Sequence, residues 1–210
     1  MSFVYMKILE SRPERYDIGM GLLTLGTLTK IKQQIAEHTH LGDQVLDLGC
    51  GTGTLAQMCI ERGAQVTGVD ANNGMLSVAK KNSPTTNYLN ISLSNLDEHL
   101  ADESFDIVLS TLAFSELTRA ERVHVLKQIK RILRNKGKVL IGDEIIPENI
   151  FAKCFYYTFR LPMRLLTWIT TQTTTNAISS FDDDVREAGM KIVSSKSFML
   201  GIFILLEIKK

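Results

Sequence analysis

A turn with three glycines, Gly49-Cys50-Gly51-Thr52-Gly53, follows the run Val45-Leu46-Asp47-Leu48 and opens a helical stretch. Glycine lacks a Cβ and adopts positive φ freely, so such a turn lets a ligand approach the backbone at a helix start. The spacing is G-x-G-x-G, and residue 54 is Thr where the dinucleotide pattern G-x-G-x-x-G needs its third glycine. A nicotinamide oxidoreductase is therefore disfavoured. Two carboxylates frame the turn: Asp47 enters it, and Asp70 ends the next β-type run, Gln65–Val69. A carboxylate at the end of a second strand can accept hydrogen bonds from both ribose hydroxyls of a nucleoside. Turn and acids together predict a nucleoside-bearing ligand.

Other side chains could handle a proton. Glu116 follows the fourth β-type run, and Asp143 and Glu144 follow the fifth. Strand C-terminal ends face the ligand crevice in open α/β sheets, so each could serve as an acceptor's base. Metal chemistry is not expected. His38 and His40 are two residues apart and do not share a helical face, and His99 and His124 have no partners at ligand spacing. Cys50, Cys59 and Cys154 are odd in number, far apart and outside any C-x-x-C, which suits buried thiols in a reducing compartment.

These residues need a scaffold. From residue 44, short β-type runs alternate with helical segments: 44–48, helix 54–62, 65–69, helix 73–81, 88–91, 105–110, helix 119–134, 138–142. That alternation predicts a parallel sheet with crossover helices. In helix 119–134, Thr118-x-x-Glu121 is a capping box, Val123, Leu126, Ile129 and Leu133 form the buried stripe, and Gly137 ends the unit. Its cations, Arg119, Arg122, Lys127, Lys130, Arg131 and Arg134, read as a solvated face. No aromatic residues interleave them as single-strand binding would require. After helix 181–188 and Gly189, the runs 191–195 and 198–208 have only Lys196-Ser197 between them, which is hairpin spacing. The expected fold is α/β: a Rossmann-like, seven-stranded, mostly parallel sheet with an antiparallel C-terminal hairpin and helices on both faces.

Residues 1–40 read as an N-terminal helical cap around the break Ser11-Arg12-Pro13, with Leu22, Leu25, Leu28, Ile31 and Ile35 on one amphipathic face. Residues 41–210 form the main domain, and 145–178 interrupt it as a helical insert. There Ile150, Phe151, Cys154, Phe155, Thr158, Leu161 and Leu165 fall at helical spacing, followed by the polar run 170–175. Rich in aromatics (Tyr156, Tyr157, Phe159, Trp168), the insert could cover a substrate pocket, and Lys153, Arg160 and Arg164 could let it rest on a membrane surface. The chain has 210 residues, 44% hydrophobic and 22% charged, with a net charge of +1. That composition fits a globular domain and gives no general reason for a polyanion partner. The N-terminus lacks a signal-peptide core and no stretch spans a bilayer, so the expected location is cytoplasmic.

Val45-Leu46-Asp47-Leu48-Gly49-Cys50-Gly51-Thr52-Gly53 resembles the first motif of class I S-adenosylmethionine-dependent methyltransferases, and Val69-Asp70 resembles their second. Phe105–Val108 with Ser110-Thr111 is similar to their fourth strand, and Leu133-Arg134-Asn135-Lys136-Gly137 to the turn before the fifth. The resemblance implies S-adenosyl-L-methionine as cofactor and S-adenosyl-L-homocysteine as product. By position, Asp47 and the backbone of Gly49, Cys50, Gly51 and Gly53 would hold the methionine end, and Asp70 the ribose. Ala71 and Met75 would lie against adenine, with Ser92 and Leu93 at its edge, although the family usually has an acid near Ser92. Ser110 would sit beside the cofactor, and Tyr16 would lid it, its ring near the sulfonium.

Glu14-Arg15-Tyr16-Asp17 with Leu22–Gly26, and Ala188-Gly189-Met190 with the final hairpin, resemble the ubiquinone/menaquinone C-methyltransferase group. That implies a small, hydrophobic or aromatic acceptor. Phe114-Ser115-Glu116-Leu117 and the 170–175 run resemble a branch encoded beside corrinoid proteins, which brings in a corrinoid protein as a partner or methyl metabolism as the setting. The absence of an Asn/Asp-Pro-Pro-Tyr run after the fourth strand and of a Pro-Cys nucleophile disfavours nucleic-acid acceptors. A catalytically silent cofactor-binding subunit stays open as the rival from another class.

Overall fold

The computed structural model describes residues 11–147, 149–150, 153, 156–158, 178 and 181–210. Among them, seven strands form one sheet: β1 (Gln44–Leu48), β2 (Gln65–Val69), β3 (Asn87–Leu89), β4 (Phe105–Thr111), β5 (Leu133–Glu144), β6 (Lys191–Phe198) and β7 (Phe203–Lys209). The helices are α1 (Tyr16–Leu23), α2 (Thr27–Glu37), α3 (Thr54–Ile60), α4 (Asn73–Asn82), α5 (Arg119–Ile132) and α6 (Phe181–Glu187). Strand order is β3-β2-β1-β4-β5-β7-β6. The first five strands pair in parallel, while β7 runs antiparallel to both β5 and β6. The Rossmann-like sheet with an antiparallel end is therefore present.

Successive strand residues point to opposite faces, so a sheet covered on both sides buries every residue of its central strands. Val45, Ile107, Leu109 and Leu140 face the layer of α1, α2 and α3. Leu46, Leu48, Val108, Val139 and Ile141 face α5 and α6. Gly142 makes room for α2: a Cβ there would lie 2.5 Å from Ile31 Cγ2. Ile31 and Ile35 are fully buried on that contact.

Four local expectations are corrected. The amphipathic stripe of the N-terminal cap breaks, because Gly26 (φ +74°) separates α1 from α2 and its amide closes on Gly21 O at 2.8 Å. Leu28, Ile31 and Ile35 face the core, while Leu22 and Leu25 are exposed. Helix 119–134 ends at Ile132, since Leu133 is already extended and pairs with Phe105. Gly137 is thus a strand residue rather than a helix stop, and a Cβ on it would meet Asp106 O at 2.8 Å. The hairpin turn lies at Met199–Gly201, not Lys196-Ser197, which pair with Leu205 and Ile204. Met199 (φ 48°), Leu200 (φ 57°) and Gly201 (φ 85°) make the left-handed bend that reverses the chain. Finally, Arg122 is buried rather than solvated, its Nε 2.7 Å from the fully buried carboxylate of Asp184 on α6.

The Thr118/Glu121 capping box forms as expected, with reciprocal bonds of 2.8 and 3.3 Å. Most of the 145–178 insert, including Phe151, Cys154, Phe155, Phe159, Trp168 and the 170–175 run, lies outside the described residues. At its edges Ile145 bridges Ile178 in parallel, and Tyr156 is buried in the cluster that holds Tyr16 and Met20. Among the described residues, no helix is long and apolar enough to cross a membrane.

Candidate functional site

The sheet reverses its winding between β1 and β4, and loops diverging there leave a crevice at the strand C-termini. The glycine turn forms its floor. Gly49, Gly51 and Gly53 all take positive φ, at +68°, +54° and +75°. Four of the turn's five amides, however, are already committed. Gly49 and Cys50 N–H both donate to Val69 O, at 2.8 and 3.0 Å, and Gly53 N–H donates to Cys50 O at 3.0 Å. Gly51 N–H donates to Asp70 Oδ2 at 2.8 Å. This corrects the picture of a backbone amide cradle. The glycines contribute close approach instead: a Cβ on Gly49 would stand 2.6 Å from Ala113 Cβ, across the crevice floor. A phosphate-binding turn needs amides free to point at an anion, and these are not.

A cleft of about 390 Å³ opens above Gly49 and Gly51, within the range of small-ligand sites. Asp70, Ala71 and Met75 line one wall, and Ser92 and Leu93 extend it. Tyr16, the first residue of α1, and Glu116 also line the cleft. These positions were all legible in the sequence. Asn72, Thr111, Leu112, Ala113 and Leu117 line it too; Thr111 and Leu117 fall within the fourth-strand and Phe114–Leu117 resemblances, while Asn72, Leu112 and Ala113 belong to no motif. Asn72 had a local signal: asparagine before a helix is a favoured N-cap, and its Oδ1 accepts from Gly74 and Met75 amides at 2.9 and 3.2 Å. Leu112 and Ala113 had none, because a turn after β4 brings them to the cleft.

Other expected site residues sit off the cleft. Ser110 is buried in β4, its hydroxyl donating to Leu48 O at 2.9 Å. Cys50 is buried against Gly68, where a Cβ would lie 3.0 Å from its sulfur, and burial pushes its thiol pKa far up. Gly53 packs on Tyr88 and Ala79, with a Cβ there 2.6 Å from the Tyr88 hydroxyl. Asp47 ends up fully buried on β1, and its Oδ2 has no hydrogen-bond partner among the described residues. Burial raises its pKa to about 7, with Lys32 opposing and Asp70 adding to the shift. Asp143 and Glu144 are also buried, away from the cleft.

The electrostatics centre on Asp70. Its Oδ2 accepts from Gly51 N–H and its Oδ1 from Asn72 N–H, both at 2.8 Å. A carboxylate offers about four acceptor positions, so two remain for a ligand's hydroxyls. Burial raises the Asp70 pKa, and the two amide bonds pull it back down. Ser92 uses its hydroxyl to cap the turn Leu93–Glu98, accepting from Ser94 N–H at 3.3 Å. The residues fit an adenosyl group with a cationic sulfonium: a floor whose glycine amides are bonded, a carboxylate with acceptor positions left for a diol, and apolar surface from Met75 and Leu93.

Comparison with known proteins agrees with that geometry. Residues 46–141 match the family model described as "Methyltransferase domain". A demethylmenaquinone methyltransferase from Thermotoga maritima is 30% identical over 148 residues, covering 69% of this chain and 62% of the relative. A malonyl-[acyl-carrier protein] O-methyltransferase from Serratia marcescens is 34% identical over 130 residues, covering 60% of this chain and 44% of the relative. The chain thus spans less than two thirds of the length of these relatives. An S-adenosylmethionine-dependent methyltransferase from Mesorhizobium loti superposes with a TM-score of 0.69 at 18% identity, covering 88% of this chain and 99% of that one, which speaks to the fold alone.

Proposed function

We propose, from the premise that residues 46–141 belong to the class I S-adenosylmethionine-dependent methyltransferase family, that this chain transfers a methyl group to a small acceptor with an apolar or aromatic body. The observation that carries the reading is the pairing of Asp70 with a glycine floor whose amides are already bonded. That pairing suits a diol and a close-lying cation and does not suit a dinucleotide phosphate. When bound, S-adenosylmethionine supplies an electrophilic methyl on a sulfonium sulfur and leaves as S-adenosylhomocysteine.

The chain's own residues bind, align and take a proton. Asp70 holds the ribose diol, and Ala71, Met75, Ser92 and Leu93 bracket the base. Tyr16 closes over the cleft with its ring toward the positive charge. Alignment of acceptor and methyl is the main source of rate, because the sulfonium loses its charge as the new bond forms. Glu116, on the wall opposite Asp70, accepts the acceptor's proton as its nucleophilic atom takes the methyl. The bond pair stays with sulfur, so charge and atoms balance. Leu112, Ala113 and Leu117 around Glu116 favour an apolar acceptor body. The similarity to a demethylmenaquinone methyltransferase supports an aromatic one.

Calorimetric titration with S-adenosylhomocysteine and with NADH tests the cofactor. The homocysteine compound is expected to bind more tightly, and the reverse order removes the proposal. Asp70→Ala should weaken it by about 1.5–3 kcal/mol, the scale of hydrogen bonds to a charged group. Methyl transfer is then assayed with naphthalenediols, malonyl thioesters and a corrinoid protein. Turnover of the diols supports the acceptor class. Turnover of only the thioester or the corrinoid overturns it, and binding without any turnover marks a silent subunit.

A further inference from the structure

We infer that Asp143 is a positioning residue: its buried carboxylate fastens the turn Ala113–Leu117 to the end of β5 and thereby sets where Glu116 stands over the cleft. This rests on the reading of Glu116 as the acceptor-side group. Asp143 is 1% exposed and lies off the cleft. Its Oδ2 accepts from two successive amides of the turn, Phe114 N–H at 2.9 Å and Ser115 N–H at 3.1 Å. Its Oδ1 accepts from Glu144 N–H at 2.7 Å. A carboxylate holding three amides is a poor candidate for taking a proton from an acceptor, because most of its acceptor positions are in use and burial blocks its access. What it can do is hold a loop.

The loop needs holding. β4 leaves the sheet through Leu112 at φ +61°, a left-handed conformation costly for a leucine. Such backbone persists only where its surroundings over-determine it. Here Leu112 N–H donates to Gly142 O at 2.9 Å, and the Ser115 hydroxyl donates to Leu112 O at 3.3 Å. The ring of Phe114, fully buried, meets Phe181 edge-on at 5.4 Å. One residue beyond Ser115, Glu116 takes its place on the cleft wall. An asparagine cannot replace Asp143 in this arrangement. Whichever way its amide turns, an NH₂ faces either the two turn amides or the Glu144 amide.

The test uses the full chain labelled for NMR, with S-adenosylhomocysteine as the probe ligand. In Asp143→Asn, exchange at the Phe114 and Ser115 amides should accelerate roughly tenfold or more, as expected when buried amides lose an acceptor. The side-chain carboxyl resonance of Glu116 should move, while that of Glu121, held by its own capping box, stays in place. A purely structural role for Asp143 would shift the thermal midpoint without selecting Glu116 over Glu121. Should the variant not fold, the wild-type chain still decides the matter. The Phe114 and Ser115 amide shifts should titrate together with the Asp143 carboxyl, whose charged neighbour here is Glu144 on β5. Amide shifts that ignore that titration, or a Glu116 resonance indifferent to Asp143→Asn, overturn the assignment. If wild-type chain fails to bind S-adenosylhomocysteine, the site reading falls first. If it binds but Glu116→Gln leaves transfer unchanged, only the role of Glu116 falls.

Discussion

The hydroxyl of Thr52 donates to Asp17 Oδ2 across 2.7 Å, joining the first helix to the middle of the glycine turn. The same carboxylate has Lys32 of α2 at 3.7 Å on its other oxygen. Thr52 is held further by Asn82, whose side-chain amide donates to its carbonyl at 2.9 Å. Asp17 adjoins Tyr16 in α1, so this contact fixes the cleft-lining Tyr16 relative to the floor beneath it. The N-terminal cap is therefore tied into the site through polar bonds as well as through its apolar face.

Thr52→Val keeps the shape and removes the donor. It should cost about 1.5–3 kcal/mol, the scale of a hydrogen bond to a charged group, and weaken S-adenosylhomocysteine binding as Tyr16 loosens. Urea unfolding and calorimetry check both effects. If midpoint and affinity both stay put, the tie does not position Tyr16.

Gly49→Ala should be among the most damaging single methyl additions to the site. The new Cβ would stand 2.6 Å from Ala113 Cβ at a residue whose φ is +68°. Overpacking alone typically costs about 1–3 kcal/mol, and left-handed backbone adds about 1–2. Loss of cofactor binding together with a lowered thermal midpoint is the expected result, and an unaffected affinity would show that the floor can yield.

Asp47 predicts a pH dependence. Its folded pKa is raised from 3.8 to about 7 by burial, so the native chain holds this proton more tightly than the unfolded chain does. Between those two values the native state binds more protons, and stability falls as pH rises. Asp143, raised to about 6 by burial despite its amide partners, acts in the same direction. In the ligand-free protein, Asp47→Asn should therefore gain on the wild type as pH climbs from 4 to 7. Thermal midpoints across that range measure the difference. A difference independent of pH would contradict the burial argument.

The Arg122–Asp184 pair separates a structural cation from surface ones. Both side chains are buried, and their N–O distance is 2.7 Å. Removing one partner strands the other charge, which typically costs about 3–5 kcal/mol. Arg119 also reaches Asp184, at 3.1 Å, but its side chain is 55% exposed. Its truncation should therefore cost clearly less than that of Arg122. Chemical denaturation of Arg122→Ala and Arg119→Ala would expose an error if the two losses came out equal.

Elements written in neighbouring residues were legible from the start. The glycine turn, the β1–α3–β2 unit, the Thr118/Glu121 capping box and the acid at position 70 follow from local backbone chemistry and from the 2.0 and 3.6 periodicities. The Asp70 side of the cleft was accordingly readable before any coordinates. The opposite wall was legible only in part. Leu112 and Ala113 join it through a turn whose Phe114 amide donates to Asp143, 29 residues farther along the chain. Arg122 looked like one cation in a solvated row until Asp184, 62 residues on, met it in the core. The hairpin turn begins at Met199 rather than Lys196 because cross-strand pairing, not the nearest polar dipeptide, chose where the chain reverses. Burial and partnership across such distances are properties of the packed chain: a side chain's type states what bonds it can make, and only the fold decides which of them are within reach.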